Sequence, residues 1–446
     1  MPTELRSHPH APTDTSGYHE FLASKRATAH HAGPTISPGA VHPTLHDWQN
    51  YIVRWSARVG RAAVWANTGL GKTFMQLEWA RLVTGDETAL IVAPLAVCQQ
   101  TIREARKIGI VVEYVREHIP GPGIWITNYE MAVKIDTEGL RAVVLDESSI
   151  LKQADGKTRT ALINQFTDVP YRLACTATPA PNDPEELTSQ AEFLGQSTRV
   201  NMLAAYFIHD NDGWRLKGHA SGAMYTWMSS WAVALRKPSD LGYSDEGYDL
   251  PGLNIVSQPV ESEIEAEGQL FPTDLGGVGG RAKVRRQTMG ARCARAAALI
   301  AAEPDEPWVI WCGLNDEAEL LAKLIPKSVN VHGAWSPEDK AAALLSFADG
   351  GITRLITKPS IASLGLNWQH CARMVFVGLN DSWEQYFQAI RRCYRYGQTR
   401  VVDVHVVLSD LEQQIGGNIA RKESQADQMT SGLVQAMAVT HAKGTL

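Results

Sequence analysis

The chain has 446 residues, enough material for about three domains. Apolar residues make up 44% and charged residues 20%, a balance that excludes a disordered or fibrous chain. With 42 Lys and Arg against 48 Asp and Glu, the formal net charge is −6. Bulk charge therefore cannot hold a nucleic acid, and any such contact needs a local groove of Lys and Arg.

Residues 1 to about 43 are rich in His, Pro, Ser, Thr and Gly and read as a flexible arm with a short helical stretch at 18–25. The histidines there are irregularly spaced and have no cysteine companions, which argues against a metal site. The first twelve residues lack the apolar stretch of a secretory signal. No apolar run reaches the roughly 18 residues of a membrane-crossing helix. The six cysteines, Cys98, Cys175, Cys293, Cys312, Cys371 and Cys393, form no C-x-x-C pair and sit mostly in apolar runs. That speaks against zinc or a disulfide scaffold and for a reducing, intracellular compartment.

Between 62 and 175, short apolar runs alternate with helical stretches: 62–65, 89–93, 125–127, 142–145 and 173–175. Brief runs rich in Val, Ile and Ala, each followed by turn or polar residues, predict buried parallel strands of βαβ units. The pattern returns after about 290, at 308–312, 329–332, 355–357, 374–377 and 401–408. The fold class is therefore α/β, with two parallel-sheet domains at 44–195 and 291–412. Residues 196–290 between them are read as a helical insertion and linker. They hold Trp214, Trp227 and Trp231, a glycine-rich loop at 276–280, and a basic cluster of Arg281, Lys283, Arg285, Arg286, Arg292 and Arg295. Trp227 and Trp231, at near-helical spacing, are better read as core than as base-stacking platforms. The basic cluster is a DNA-contact candidate whose default reading is a solvated helix or linker. Residues 413–446 form a tail with no assigned role.

The strongest local signal is Ala66-Asn67-Thr68-Gly69-Leu70-Gly71-Lys72-Thr73. It follows a predicted strand and opens a helix with Phe74, Leu77 and Ala80 on one face. Strand, glycine-rich loop, Lys, Thr and helix is the arrangement of a phosphate-binding loop, with backbone N–H groups and a helix N-terminus facing the anion. Lys72 would reach the β- and γ-phosphates of ATP, and Thr73 would bind Mg²⁺. Ala66 stands where the usual pattern has its first glycine. Asp146-Glu147 then follow a buried run. Two acids at the carboxyl end of a parallel strand are costly unless paired or metal-bound. Facing a phosphate loop, Asp146 would hold Mg²⁺ largely through water, and Glu147 would orient and activate an attacking water. In the second α/β domain, Arg392 and Arg395 are three apart and so share a helix face. Aimed into an interdomain cleft, such a pair stabilises charge on a transferring γ-phosphoryl group, an effect worth roughly 10³–10⁵ in rate.

Over roughly residues 44 to 412, the chain resembles helicase superfamily two, specifically its Swi/Snf-related DNA translocases, with motifs in the expected order. Gln49, within Leu45-His46-Asp47-Trp48-Gln49, matches the adenine-reading glutamine. Residues 66–73 resemble motif I, Ala93-Pro94 motif Ia, and Thr127-Asn128-Tyr129-Glu130 motif Ib. Asp146-Glu147-Ser148-Ser149 sits in the place of motif II, and Leu151-Lys152 with Lys157 is similar to the basic tail that follows it in this branch. Thr176-Ala177-Thr178-Pro179 resembles motif III, continued by Asn182 and Glu186-Leu187. Ser363-Leu364-Gly365-Leu366-Asn367 resembles motif V. Trp383 and the stretch from Gln388 to Gln398 resemble the lead into motif VI. Three features depart from the branch. Motif II ends in Ser148-Ser149 rather than Ala-His or Gly-His, motif III has Ala177 for the usual Gly, and the chain shows no chromatin-reading domain.

The resemblance implies two tandem RecA-like domains with ATP and Mg²⁺ between them. It implies nucleotide contacts from Gln49, Gly69, Leu70, Gly71, Lys72, Thr73, Asp146 and Gly365, with Thr73 and Asp146 at the metal. Catalysis falls to Lys72, Glu147, Arg392 and Arg395, and coupling between the lobes to Thr176, Thr178 and Gln388. Strand contacts fall to Pro94, Thr127 and Thr357, with Trp383 close by, made mostly to phosphate and sugar and therefore of low sequence specificity. The expected activity is a DNA-dependent ATPase that moves along double-stranded DNA. The alternatives are a strand-separating DNA or RNA helicase, and a poorly hydrolysing, ATP-gated DNA-binding module that recruits a partner. A nuclease, methyltransferase or replication partner would have to be supplied by another chain. The compact form resembles bacterial or phage members, which implies a cytoplasmic setting and no membrane partner.

Overall fold

The computed structural model describes residues 32–152, 156–211, 213–261, 285–362, 366–379, 382–409 and 413–442. Its first sheet has seven parallel strands: β1 (Arg61–Ala66), β2 (Thr88–Ala93), β3 (Val112–Tyr114), β4 (Gly123–Asn128), β5 (Leu140–Asp146), β6 (Tyr171–Thr176) and β9 (Ala232–Leu235). Their order across the sheet is β3-β4-β2-β5-β6-β1-β9. A small antiparallel hairpin of β7 (Phe207–Asp210) and β8 (Gly213–Leu216) lies outside it. The second sheet is also parallel: β10 (Leu253–Val260), β11 (Trp308–Cys312), β12 (Val329–Val331), β13 (Arg354–Thr357), β14 (Arg373–Val377) and β15 (Val402–Ser409), in the order β10-β15-β14-β11-β13-β12. All ten strands expected from the sequence are present. They are buried because helices cover both faces of a parallel sheet. The chain thus has two tandem RecA-like α/β lobes, each with its own core.

The sheet order positions the chemistry. β1, β6 and β5 are neighbours, with Trp65 beside Thr176 and Cys175 beside Asp146. The phosphate loop after β1, Thr176 on β6 and the acids ending β5 therefore emerge side by side at the carboxyl edge, where open α/β sheets bind ligands. Three helices of the first lobe bear on this edge: α1 (Asp47–Val59), α2 (Lys72–Thr84) and α3 (Leu95–Lys107).

The middle region differs from the helical insertion expected at 196–290. It contains helices, among them α4 (Ser221–Met228), but also the β7–β8 hairpin, and it supplies an edge strand to each lobe. β9 pairs with β1, and β10 pairs with β15. β9 is only Ala-Val-Ala-Leu, too short to show a period. β10 carries Pro259, which is tolerated because β10 is an edge strand. Trp231 is fully buried, edge-on to Trp65 at 5.7 Å and to Trp227 at 5.3 Å, so both tryptophans pack the first core.

The basic cluster is not a free surface either. Arg292 is fully buried and paired with Glu317 at 2.9 Å, and Arg285 reaches the same carboxylate at 3.2 Å. Arg286 and Arg295 are exposed, while Arg281, Lys283 and the loop at 276–280 lie outside the described residues. Most of the arm also lies outside them. Its last part, from residue 32, packs on the first lobe: Val41 is buried, and the His42 N–H donates to Glu78 at 2.8 Å.

The tail is a long helix, α6 (Gln413–Ala442), preceded in the second lobe by the short α5 (Trp383–Ile390). Along α6, Ile419 packs into the second lobe's core, whereas Met429, Leu433 and Met437 pack into the first. One helix therefore ties the two lobes together.

Candidate ATP site between the lobes

Residues after β1 turn sharply. Gly69 and Gly71 have φ of 86° and 72°, a region that side chains enter only with strain. An added Cβ at Gly69 would stand 2.9 Å from the Tyr396 ring, and one at Gly71 would stand 2.4 Å from Gln49 Nε2. The loop is thus pressed by α1 on one side and by the second lobe on the other. Gln49 is buried; its Oε1 accepts from the His46 N–H at 2.9 Å, and its Nε2 donates to Leu70 O at 3.0 Å. Leu70 is fully buried below the loop. Lys72 Nζ donates to Ala66 O at 2.7 Å and to Asn67 O at 3.3 Å. Burial pushes the Lys72 ammonium down, while Glu147 and Asp146 pull it back up.

The acids at the end of β5 are held by their surroundings. Asp146 accepts from Gln76 Nε2 at 2.8 Å, and burial raises its carboxyl to about 6. Its main-chain oxygen accepts from Tyr129 Oη at 2.6 Å, and that of Ser148 accepts from Gln190 Nε2 at 2.9 Å. Between them, Glu147 has a left-handed backbone, with φ of 62°. A non-glycine residue enters that region at a cost of about 1–2 kcal/mol, and such strain clusters at functional sites. The Glu147 carboxylate accepts from Thr176 Oγ1 and, at 3.2 Å, from Ser149 Oγ.

The second lobe faces this edge. Arg392 is buried, with Nη1 donating to Leu366 O at 3.0 Å and Nη2 to Gln388 Oε1 at 3.0 Å. Arg395 Nη1 donates to Leu366 O at 3.4 Å and to Asn367 Oδ1, while its Nε is buried without a partner. Burial lowers both guanidinium groups, Arg392 to about 9, with Arg395 as a like-charged neighbour adding to the effect, and Arg395 to about 10. Their partners are neutral oxygens, so among the described residues neither the buried Arg392 nor the half-buried Arg395 has a carboxylate in contact. Thr68, Gly69, Lys72 and Thr73 share one cavity of about 90 Å³ with Asp146, Glu147, Arg392 and Arg395. Asn367, the last residue of the motif V match, also lines it, as do Gln100 and Val97, for which the sequence offered no signal.

Coupling candidates also meet across the cleft. Thr178 N–H donates to Thr176 Oγ1 at 3.0 Å, and Gln388 Nε2 donates to Thr178 Oγ1 at 3.4 Å. Gly365 lies outside the described residues, as do Ser363 and Leu364.

The strand-contact candidates fare differently. Thr127 is fully buried, with its hydroxyl donating to Val115 O at 2.7 Å. Thr357 is fully buried, donating to Val331 O at 3.1 Å. Trp383 sits in the second core, 5.0 Å from the Phe387 ring. As placed, Thr127 and Thr357 spend their hydroxyls on main-chain oxygens within the lobes and Trp383, on α5, packs in the second core, so none of the three presents a side chain at the surface. Pro94 is half-buried at the rim of both the 90 Å³ cavity and a neighbouring interlobe cavity of about 330 Å³. The larger cavity is bordered by Thr158, Lys152, Ser360, Glu384 and Gln385, of which only Lys152 stood out in the sequence.

The residues fit a nucleotide with its divalent ion. A polyanion would meet Lys72, Arg392 and Arg395, and Mg²⁺ needs only one or two protein ligands besides phosphate and water. Among the described residues no group of three or more His, Cys, Asp or Glu could hold a metal alone.

Comparison with known proteins agrees with this architecture. Residues 292–397 match the family described as helicase conserved C-terminal domain. Protein p41 of Acyrthosiphon pisum secondary endosymbiont phage 1 is 28% identical over 185 residues, 35% of this chain and 40% of that relative's length. The S. cerevisiae Dbp5 structure bound to RNA and ADP BeF3 is similar over 84% of this chain and 89% of that one, at 13% identity and a TM-score of 0.54. The Sulfolobus solfataricus SWI2/SNF2 ATPase core in complex with dsDNA aligns over 90% of this chain and 96% of that one, at 19% identity and a TM-score of 0.43. Residues 292–397 thus match a helicase conserved C-terminal domain, and the chain as a whole has the fold of two RecA-like lobes facing one cleft.

Proposed function

We propose that the chain is an ATPase of the Swi/Snf-related type that couples ATP hydrolysis to movement along double-stranded DNA. The observation that carries the reading is the convergence of Lys72, Asp146 and Glu147 from one lobe with Arg392 and Arg395 from the other around a single cavity. The branch assignment and the DNA substrate rest on the ordered motifs of the sequence.

The geometry supports a direct division of labour. Glu147 accepts a proton from the attacking water as it adds to the γ-phosphorus of ATP, and ADP leaves with inorganic phosphate as the other product. Lys72, Arg392 and Arg395 stabilise the charge that builds on the γ-phosphoryl oxygens. Mg²⁺ would be held by Thr73 and Asp146 and would neutralise part of the phosphate charge. The 90 Å³ cavity is far below the roughly 300–1,000 Å³ of small-molecule sites. ATP entry therefore requires Lys72 to leave its carbonyl partners and the lobes to part. Binding then favours a closed form, and hydrolysis releases it. Nucleic-acid contacts pass to main-chain groups at the strand ends and to the rim of the larger cavity, where Thr158 and Ser360 are exposed.

The test is steady-state ATP hydrolysis without nucleic acid and with duplex DNA, single-stranded DNA or RNA, with Lys72→Ala as the blank. Duplex DNA is expected to stimulate turnover most, and Arg395→Ala to lower the stimulated rate by about 10³ or more. Better stimulation by RNA would replace the reading with an RNA helicase. ATP binding without stimulated hydrolysis would replace it with the gated binding module.

A further inference from the structure

The second lobe rests on the phosphate loop through one residue that the proposed chemistry does not use. Tyr396 follows Arg395 on the same turn, and Gln369 Nε2 donates to its main-chain oxygen at 3.2 Å. Its ring packs against the core of the first lobe. A Cβ built on Gly69 would stand 2.9 Å from that ring and 3.0 Å from the Tyr396 main-chain nitrogen. Tyr248, which also packs on the first core, stands edge-on to the ring at 5.0 Å. The Tyr396 hydroxyl donates to the main-chain oxygen of Arg236 at 2.9 Å. Arg236 is a braced acceptor. It follows β9, whose last residue, Leu235, accepts from the Asn67 N–H of the phosphate loop at 3.0 Å. The Arg236 N–H donates to Asp240 at 2.6 Å, and its guanidinium donates to Ser431 of α6 at 3.2 Å.

We infer that Tyr396 is an autoinhibitory latch, which holds the second lobe against the phosphate loop and competes with ATP for it. The latch rests on the reading of this cleft as the ATP site. With Tyr396 seated on Gly69, the cavity in front of the loop is only about 90 Å³, and a nucleotide needs several times that. Latched and nucleotide-bound forms therefore exclude each other. ATP binds only the unlatched fraction, and its apparent affinity is lowered accordingly. The ring supplies contact and the hydroxyl supplies register, because a hydrogen bond to one braced carbonyl fixes where the second lobe lands. Arg395 is the preceding residue, so releasing the latch also frees its guanidinium to meet the phosphates. A nucleic acid bound across both lobes that reorients them releases the same latch and so raises the affinity for ATP.

The experiment is Tyr396→Phe in the full chain. It removes one oxygen, keeps the ring, and leaves the Arg236 carbonyl free to bond water, because that hydrogen bond is solvent-exposed. A net hydrogen bond of this kind is worth roughly three- to fivefold in an equilibrium. Titration with a non-hydrolysable ATP analogue and Mg²⁺ is therefore expected to give a Kd lower by about three- to fivefold, with the gain in the association rate and Lys72→Ala as the blank. A tyrosine that merely supported the loop would act in the opposite direction, its truncation weakening binding. The second readout needs no nucleotide. The six native cysteines are buried, so spin labels can be directed to Glu113→Cys and Glu319→Cys, exposed positions on the first and second lobes. Pulsed electron-spin distance measurement is expected to show a larger share of long interlobe distances in Tyr396→Phe.

An unchanged or raised Kd in Tyr396→Phe would overturn the latch while leaving the ATP site standing. If the wild type itself binds no nucleotide, the ATP-site reading fails by itself. The distance distribution then decides whether Tyr396 clamps the lobes, and no shift toward longer distances refutes it.

Discussion

Met437→Ala probes the helix that joins the lobes. Met437 is 3% exposed in the first core, and its sulfur accepts from the Ala234 N–H at 2.9 Å. β9 is the last strand of its sheet, so this main-chain donor is an edge group that α6 covers. Truncating a buried methionine to alanine costs about 2–5 kcal/mol. Leaving the buried N–H unpaired adds about 1 kcal/mol, the low end of the range because a thioether is a weak acceptor. The expected loss is therefore about 3–6 kcal/mol, a large share of the roughly 5–15 kcal/mol that holds a domain folded. Met437→Leu keeps the volume and loses the sulfur, so about 1 kcal/mol is expected.

The loss should be local at first. Beside Met437, α6 is held by Thr440 against Ser229 at 2.9 Å, by Ser431 against Arg236 at 3.2 Å, and by Gly432, which leaves room for the Tyr225 ring. Urea denaturation measures the total, and hydrogen exchange at the Ala234 amide reports the undocking. A cost below about 1 kcal/mol for Met437→Ala, with Ala234 still protected, would refute the idea that α6 braces the first lobe through this contact.

Two further outcomes follow from the same geometry. Gly69→Ala places a Cβ at a φ of 86° and 2.9 Å from the Tyr396 ring of the other lobe, so it should raise KM for ATP at least tenfold with only a small change in melting temperature. Conversely, an unchanged KM would show that the loop and Tyr396 move apart freely. Glu186 has its carboxyl raised by burial from 4.5 to about 7, so the fold favours its protonated form. Stability is thus present below the ordinary glutamate value and is lost as pH rises from about 4.5 toward about 7. Relative to wild type, Glu186→Gln should gain on the order of 3 kcal/mol between pH 4 and pH 8; a pH-independent difference in denaturation midpoint would contradict the assignment.

The phosphate loop, the acids after β5 and the two arginines were legible because each chemistry demands certain residue types at fixed spacing beside a strand or on a helix face. The same holds for the ten strands, since a strand buried on both faces must be a short apolar run. β9 and β10 were not legible: one is four small residues, the other an edge strand with a proline. The strand-contact side chains were misplaced for a related reason. Thr127 and Thr357 sit at the right strand ends, but nothing local decides whether a threonine hydroxyl faces a groove or a neighbouring carbonyl.

By itself, then, the sequence determined the α/β class, the two lobes and most of the groups that line the small interlobe cavity, because periodicity and motif spacing are local properties of a chain. Only the tertiary structure decided the rest. It put Arg285 and Arg292 on Glu317 instead of on a surface, and it strained Glu147 into a left-handed turn. It laid α6 across both cores and paired Lys152 of the first lobe with Glu384 of the second. Each of these depends on which groups are brought together from distant parts of the chain, and no local pattern records that.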